Sequence, residues 1–266
     1  MKRSGSRRKL PVSGPKDAIR IVPLHLPAGL TLHTAGLTAA PAPKLTYRGG
    51  PLLAAVQVFN VFWGSAWKKS PHTQMVTDVN AFFTAILQSS LLTTQMAEYS
   101  RPKYKIGAGA FIGTAPVTTP ALGQSVRDAA IQQMLQKEIA SNKAFPKPGA
   151  NTLYFVYVAP GVKVTQGGSA SCQAFCGYHD AIDSKIFYAV MPYPNCEGCR
   201  GGLSDLDALT STSSHELCEA ITDPIPGQGW YDDVHGEIGD ICAWKTKQIG
   251  NYTVQLEWSN KANKCI

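Results

Sequence analysis

The sequence predicts a mixed α/β domain, a sheet backed by helices, spanning residues 45–266. Three observations carry that class. The runs "VQVFNVFW", "NTLYFVYVAP" and "SKIFYAVMPY" are rich in β-branched and aromatic residues and have the length of buried strands. Longer segments with apolar residues at helical spacing alternate with them. The 24 glycines and 18 prolines of the 266 residues supply many turns.

Residues 1–44 read as a basic, Pro/Gly/Ala-rich leader or linker without fixed structure. The first 50 residues hold nine Lys and Arg against one acid, Asp17, a net +8, whereas the whole chain is +7. The body is therefore near neutral and the basicity is local. A basic arm can bind nucleic acid, but no base-stacking motif or recognition helix accompanies this one, so no nucleic-acid partner is expected. The segment "IRIVPLHLPAGLTLHTAGLTAAPAP" has the order of an export signal, though His25, His33 and internal prolines interrupt it. No run reaches the roughly 18–20 apolar residues of a membrane span.

The elements follow in order. "PLLAAVQVFNVFWG" is a buried strand, and "HTQMVTDVNAFFTAILQSSLL" carries Val76, Val79, Phe82, Phe83 and Ile86 at helical spacing. "YKIGAGAFIGT" is a strand broken by glycine, and "TPALGQSVRDAAIQQMLQKEIASN" is a helix beginning near Pro120. Two strong strands follow, then "SDLDALTSTSSHELCEAIT", a helix capped by Ser204 or Asp205 and stopped by Pro224. "NYTVQLEWSN" is the last strand.

All seven cysteines lie after residue 170. The local pairs Cys172/Cys176 and Cys196/Cys199 fit either a four-thiolate zinc site or local disulfides. Disulfides are preferred, because the pairs flank a strand of a large fold rather than sitting on the turns of a small basic domain. Cys242–Cys265 would then tie the last strand to the core, which implies an oxidising, extracytoplasmic setting. Cys218, inside a helix, reads as a buried free thiol.

The chemistry concentrates on that helix. His215 and Glu219 are four apart, ~6 Å along the axis and on one face, the spacing at which two side chains share one metal. Glu216 stands beside them, where a carboxylate can take a proton from a water on the metal. Asp223 is ~12 Å further along the axis, too far to be a ligand, and is expected behind the site or as a cap at the helix end. Glu237 and Asp240, in "GEIGDIC", are the candidates for a third ligand. His179, in "FCGYHD", is either a ligand, a cleft residue or a loop histidine. Trp230 and Tyr231 are either a cleft wall or core.

"HELCEAITD" followed by "GEIGD" resembles the thermolysin-like gluzincins. That resemblance implies a zincin-like metallopeptidase fold with an active-site helix. It implies His215 and Glu237 as ligands, Glu216 as general base, Asp240 as the group orienting His215, and Tyr231 or His235 as donor to the oxyanion. Glu219 replaces the usual second histidine and makes a His/Glu/Glu shell. One divalent metal is implied, zinc first, with calcium as the oxygen-ligand alternative, and a peptide or protein as substrate.

A second resemblance covers more of the chain, from about Leu45 to Cys265. "LTYRGGPLLAAVQVFNVFWG", "SCQAFCGYHD", "SHELCEAITDP" and "GWYDDVHGEIGDICAW" are similar in order and content to the EXORDIUM, or phosphate-induced protein 1, family. It implies export, cysteine pairing and a glutamate at position 219 as a regular feature. It also supplies the rival function, a secreted non-catalytic binding or signalling protein that keeps a metal for stability. Oligomeric state has no sequence signal.

Overall fold

The computed structural model describes residues 21–25 and 41–266. Its main sheet uses β1 (Ile21–Pro23), β2 (Gln57–Trp63), β3 (Ala110–Val117), β4 (Thr152–Val158), β5 (Phe175–Ile182) and β6 (Ile186–Met191). The strand order is β1-β5-β6-β4-β2-β3. Strands β6, β4, β2 and β3 run parallel, and β5 and β1 add an antiparallel edge. Helix α1 (His72–Ile86) and α3 (Asp205–Thr222) cover one face, and α2 (Asp128–Ser141) covers the other.

Burial on both faces explains the unbroken apolar strands. In β4 every residue is buried. Leu153, Phe155 and Tyr157 face the α1/α3 core, while Tyr154, Val156 and Val158 face the α2 core. The mixed α/β class read from the sequence is the one observed.

Helix α3 is the centre of the molecule. Every residue from Ala208 to Thr222 is buried, between the sheet and the hairpin strand Tyr252–Gln255. Most of its small polar residues are tolerated because their hydroxyls are bonded, Ser211 Oγ being the exception. Thr210 Oγ1 donates to the Thr253 carbonyl at 2.8 Å, and Ser213 Oγ meets Tyr157 Oη at 2.7 Å. Ser214 Oγ donates to the Ser211 carbonyl at 2.7 Å and accepts from Gln255 N at 2.9 Å. Ser204 is the N-cap and accepts from Asp207 N at 3.1 Å, as the sequence predicts.

Four expectations change. Helix α2 begins at Asp128, not near Pro120, because Ser125–Arg127 pairs as a strand with Lys163–Gln166. "FCGYHD" lies in β5, so His179 is a strand residue rather than a loop histidine. Within the leader, Ile21–Pro23 adds an edge strand to β5, and Val22 is buried against Cys176 and Cys199. The cysteines pair as Cys172–Cys196, Cys176–Cys199 and Cys242–Cys265, with Cys218 free and buried. The first two bridges join the start of β5 to the segment before α3 instead of closing C-x3-C and C-x2-C locally. Four thiols tied in disulfides do not form a thiolate zinc site.

Among the described residues no single helix is long and apolar enough to cross a membrane.

Candidate metal centre

The polar face of α3 points at β5. Glycine at position 177 permits this approach: a Cβ there would stand 2.8 Å from Thr212 Cγ2 and 2.7 Å from Met191 Cε. Two residues on along the strand, on the same face, His179 reaches the helix. Its Nδ1 lies 3.0 Å from Glu216 Oε2 and 3.5 Å from Glu219 Oε2. Its Nε2 lies 3.1 Å from the Asp223 carbonyl and 3.6 Å from Glu237 Oε1. A carbonyl only accepts, so Nε2 carries a proton and Nδ1 faces the two carboxylates.

The other side of Glu219 faces His215. Glu219 Oε1 is 2.9 Å from His215 Nε2 and accepts from Asp240 N at 3.2 Å. Asp240 Oδ1 is 4.0 Å from the same His215 nitrogen. Asp240 Oδ2 accepts from Glu237 N at 2.9 Å and so ties the loop to itself. Gly239 lies flat against the His215 ring, where a Cβ would come within 2.8 Å of three ring atoms. His215, Glu216, Glu219, Glu237 and His179 are all 0% exposed.

These groups are incompletely satisfied. Both ring nitrogens of His215, Glu216 Oε1, Glu219 Oε2 and both Glu237 oxygens are buried without a hydrogen-bond partner among the described residues. The close His215–Glu219 contact lacks hydrogen-bond geometry. Buried polar atoms of this kind demand an explanation, and several carboxylates facing two imidazoles in one buried volume match the donor set of a divalent metal.

Burial and charge set the protonation of the centre. Burial by itself lowers the His179 pKa, but the hydrogen bond to Glu216 and the nearby Glu219 carboxylate outweigh it and raise it to about 10. Burial likewise opposes the charged form of His215, and the Glu219 carboxylate prevails to raise its pKa well above the usual value. Burial pushes Glu219 up, yet the charge of His215 and the nearby His179 hold it at about 2. Burial raises Glu216 against the pull of His179. Glu237 and Asp240 are raised well above the carboxylate range by burial and by the charge of Glu219. The cluster is therefore built to hold positive charge, from protons or from a metal.

Asp223 closes the helix. Its carboxylate accepts from Gly227 N at 2.6 Å, Gln228 N at 3.0 Å and Gly229 N at 2.5 Å, and so organises the turn that follows the helix. Burial raises its pKa to about 6, opposed first by the Gly229 N–H.

The structure thus brings together His215, Glu216, Glu219, Asp240 and His179. Glu237 departs from the expected His215/Glu219/Glu237 set and sits on the His179 side, beside Asp223. Asp240 lies on the nitrogen of His215 that Glu219 also faces, alongside the ligand candidates rather than behind the ring. His235 is turned away, its Nδ1 3.0 Å from Asp232 Oδ1. Tyr231 is buried with Arg48 over its ring at 4.5 Å. Trp230 is core, not cleft: its Nε1 donates to the Tyr99 carbonyl at 2.8 Å and its ring meets Tyr99 edge-on. Sequence reasoning missed the central place of His179, and missed Glu257 altogether. Glu257 is a fully buried carboxyl beside Cys218, its pKa pushed far up by burial.

The chain is 22% identical over 240 residues to Protein EXORDIUM-like 5 of Arabidopsis thaliana, a match covering 74% of this chain and 63% of that protein. The similarity supports kinship with the EXORDIUM family, and the chain spans less than two thirds of that relative's length. No family model and no solved structure matches the chain.

Proposed function

We propose that this protein is an extracytoplasmic, EXORDIUM-like protein organised around a closed divalent-metal centre, acting by binding rather than by hydrolysis. One observation carries the reading: His179, His215, Glu216, Glu219 and Glu237 converge with 0% exposure, and key atoms there lack partners. Structural metal sites are closed, whereas catalytic sites keep a position open to substrate. Two histidine nitrogens favour a transition metal, zinc first, over calcium, which prefers oxygen alone. The metal would supply the positive charge that offsets these carboxylates, and would tie α3, β5 and the 237–240 loop together. The three disulfides support an oxidising compartment.

A second reading, a zincin-like metallopeptidase, rests on Glu216, which follows His215 and keeps Oε1 buried without a partner. In that reading Glu216 is the general base.

Elemental analysis of the purified chain separates these readings from a metal-free fold. At least one transition-metal ion per chain is expected. Stripping it should lower the melting temperature by roughly 8–16 °C, since ligand at ~1,000 times its Kd contributes about 4 kcal/mol. A chain that never holds metal, in purification or on addition, overturns both readings. Peptide hydrolysis that disappears in Glu216→Gln while metal is retained would establish the peptidase and overturn the binding reading.

A further inference from the structure

The ligand-capable atoms form two groups rather than one. His179, Glu216 and Glu219 make the first, and His215, Glu219 and Asp240 the second; within each group these atoms lie within 4.8 Å of one another. Glu219 belongs to both, and it does so with different oxygens. Its Oε2 faces His179 Nδ1 at 3.5 Å, and its Oε1 faces His215 Nε2 at 2.9 Å. We infer that the centre holds two divalent transition-metal ions, bridged by the Glu219 carboxylate, one held by His179 and Glu216 and the other by His215 and Asp240. The inference rests on the metal-centre reading above and extends it.

Three arguments support the pair. The first is spacing. Ligands at ~2.0–2.2 Å from one ion stand about 3–3.5 Å apart. The separations of 3.0 and 3.5 Å on the His179 side, and 2.9 and 4.0 Å on the His215 side, bracket that value. A carboxylate that offers one oxygen to each ion suits the ~3.5–4 Å separation of two-metal sites. The second is tautomer. The Asp223 carbonyl fixes one proton on His179 Nε2 at 3.1 Å, so a metal in the first group would take the place of the proton at Nδ1. A ligand histidine is oriented in this way, its other N–H given to a backbone carbonyl. The third is charge. Glu216, Glu219, Glu237 and Asp240 carry four negative charges when ionised, and all four are buried or nearly so. With both imidazoles neutral and metal-bound, one divalent ion offsets two of these charges and two ions offset all four.

The experiment loads the full-length, metal-stripped chain with Mn2+ and removes free ion by gel filtration. Metal per chain is then measured together with the electron paramagnetic resonance spectrum. Two ions per chain with an exchange-coupled spectrum are expected. His179→Ala and His215→Ala should each fall to one ion and give the spectrum of isolated Mn2+. One ion per chain in the unmodified protein, or an isolated-ion spectrum at full loading, overturns the bridged pair and leaves the single-metal reading intact. No bound ion overturns both. Where a histidine variant does not fold, shown by loss of its circular dichroism, the spectrum of the unmodified chain decides the matter alone.

Discussion

At the scale of single residues the molecule is governed by where charge is buried. Glu219 stands between the two histidines, one oxygen toward each, and Asp223 lies one helical turn on. Asp223 makes a separable contribution because its three acceptor contacts all go to backbone N–H groups of 227–229. Asp223→Ala should destabilise the fold by roughly 2–4 kcal/mol, since buried donors left without an acceptor cost about 1–3 kcal/mol each and relax in part. Chemical denaturation with and without metal tests this. A loss confined to the metal-loaded form would mean that Asp223 acts through the centre rather than through that turn. Gly239 makes a different prediction. Its contact with the His215 ring is so close that Gly239→Ala must displace the imidazole, and metal content should fall below that of the unmodified chain while secondary structure is retained. Unchanged metal content would mean that His215 is not a ligand.

At the scale of elements the same contacts show what was legible in the sequence. Periodicity alone places His215, Glu216 and Glu219 on connected faces of one helix, and the N-cap and Pro224 bound that helix correctly. The apolar runs of β4 and β6 are equally plain, because a strand buried on both faces has no polar positions. Strand β5 is obscure for a physical reason. It carries Gly177 and His179 where a core strand should be apolar, since that face meets the polar face of α3. The start of α2 is misread because "TPALG" mimics a helix N-terminus, whereas Ser125–Arg127 is claimed by a tertiary strand pair. The place of His179 depends on how β5 registers against α3, and no local pattern encodes that. The close packing there is testable. Gly177→Ala should cost about 1–3 kcal/mol by pushing Thr212 and Met191 away. Thr212→Ser removes the Cγ2 clash and should recover part of that loss in the double variant. Additive losses in a double-mutant cycle would show that the helix–strand spacing is not the cause.

At the scale of the whole molecule the disulfides and the centre act on the same elements. Cys176 lies three residues before His179 in β5, and its partner Cys199 lies in the short helix that leads into α3. Cys172–Cys196 doubles that tie, and Cys242–Cys265 fixes the chain just beyond Asp240. The bridges therefore anchor each of the three segments that bring ligand candidates to Glu219. Their loops span 24, 23 and 23 residues, so in the chain-entropy account each contributes about 3 kcal/mol. Partial reduction should consequently weaken metal retention as well as stability. A peptide map of the unreduced protein is expected to recover Cys172 linked to Cys196 and Cys176 linked to Cys199. Cys218 should be the one thiol that reacts, and only after denaturation, because it is buried inside α3. Recovery of Cys172 linked to Cys176 would break the argument at its root. Those bridges would then close local loops of a few residues and leave β5 free to move against α3. The alignment of His179 with Glu216 and Glu219 would have to be maintained by packing alone.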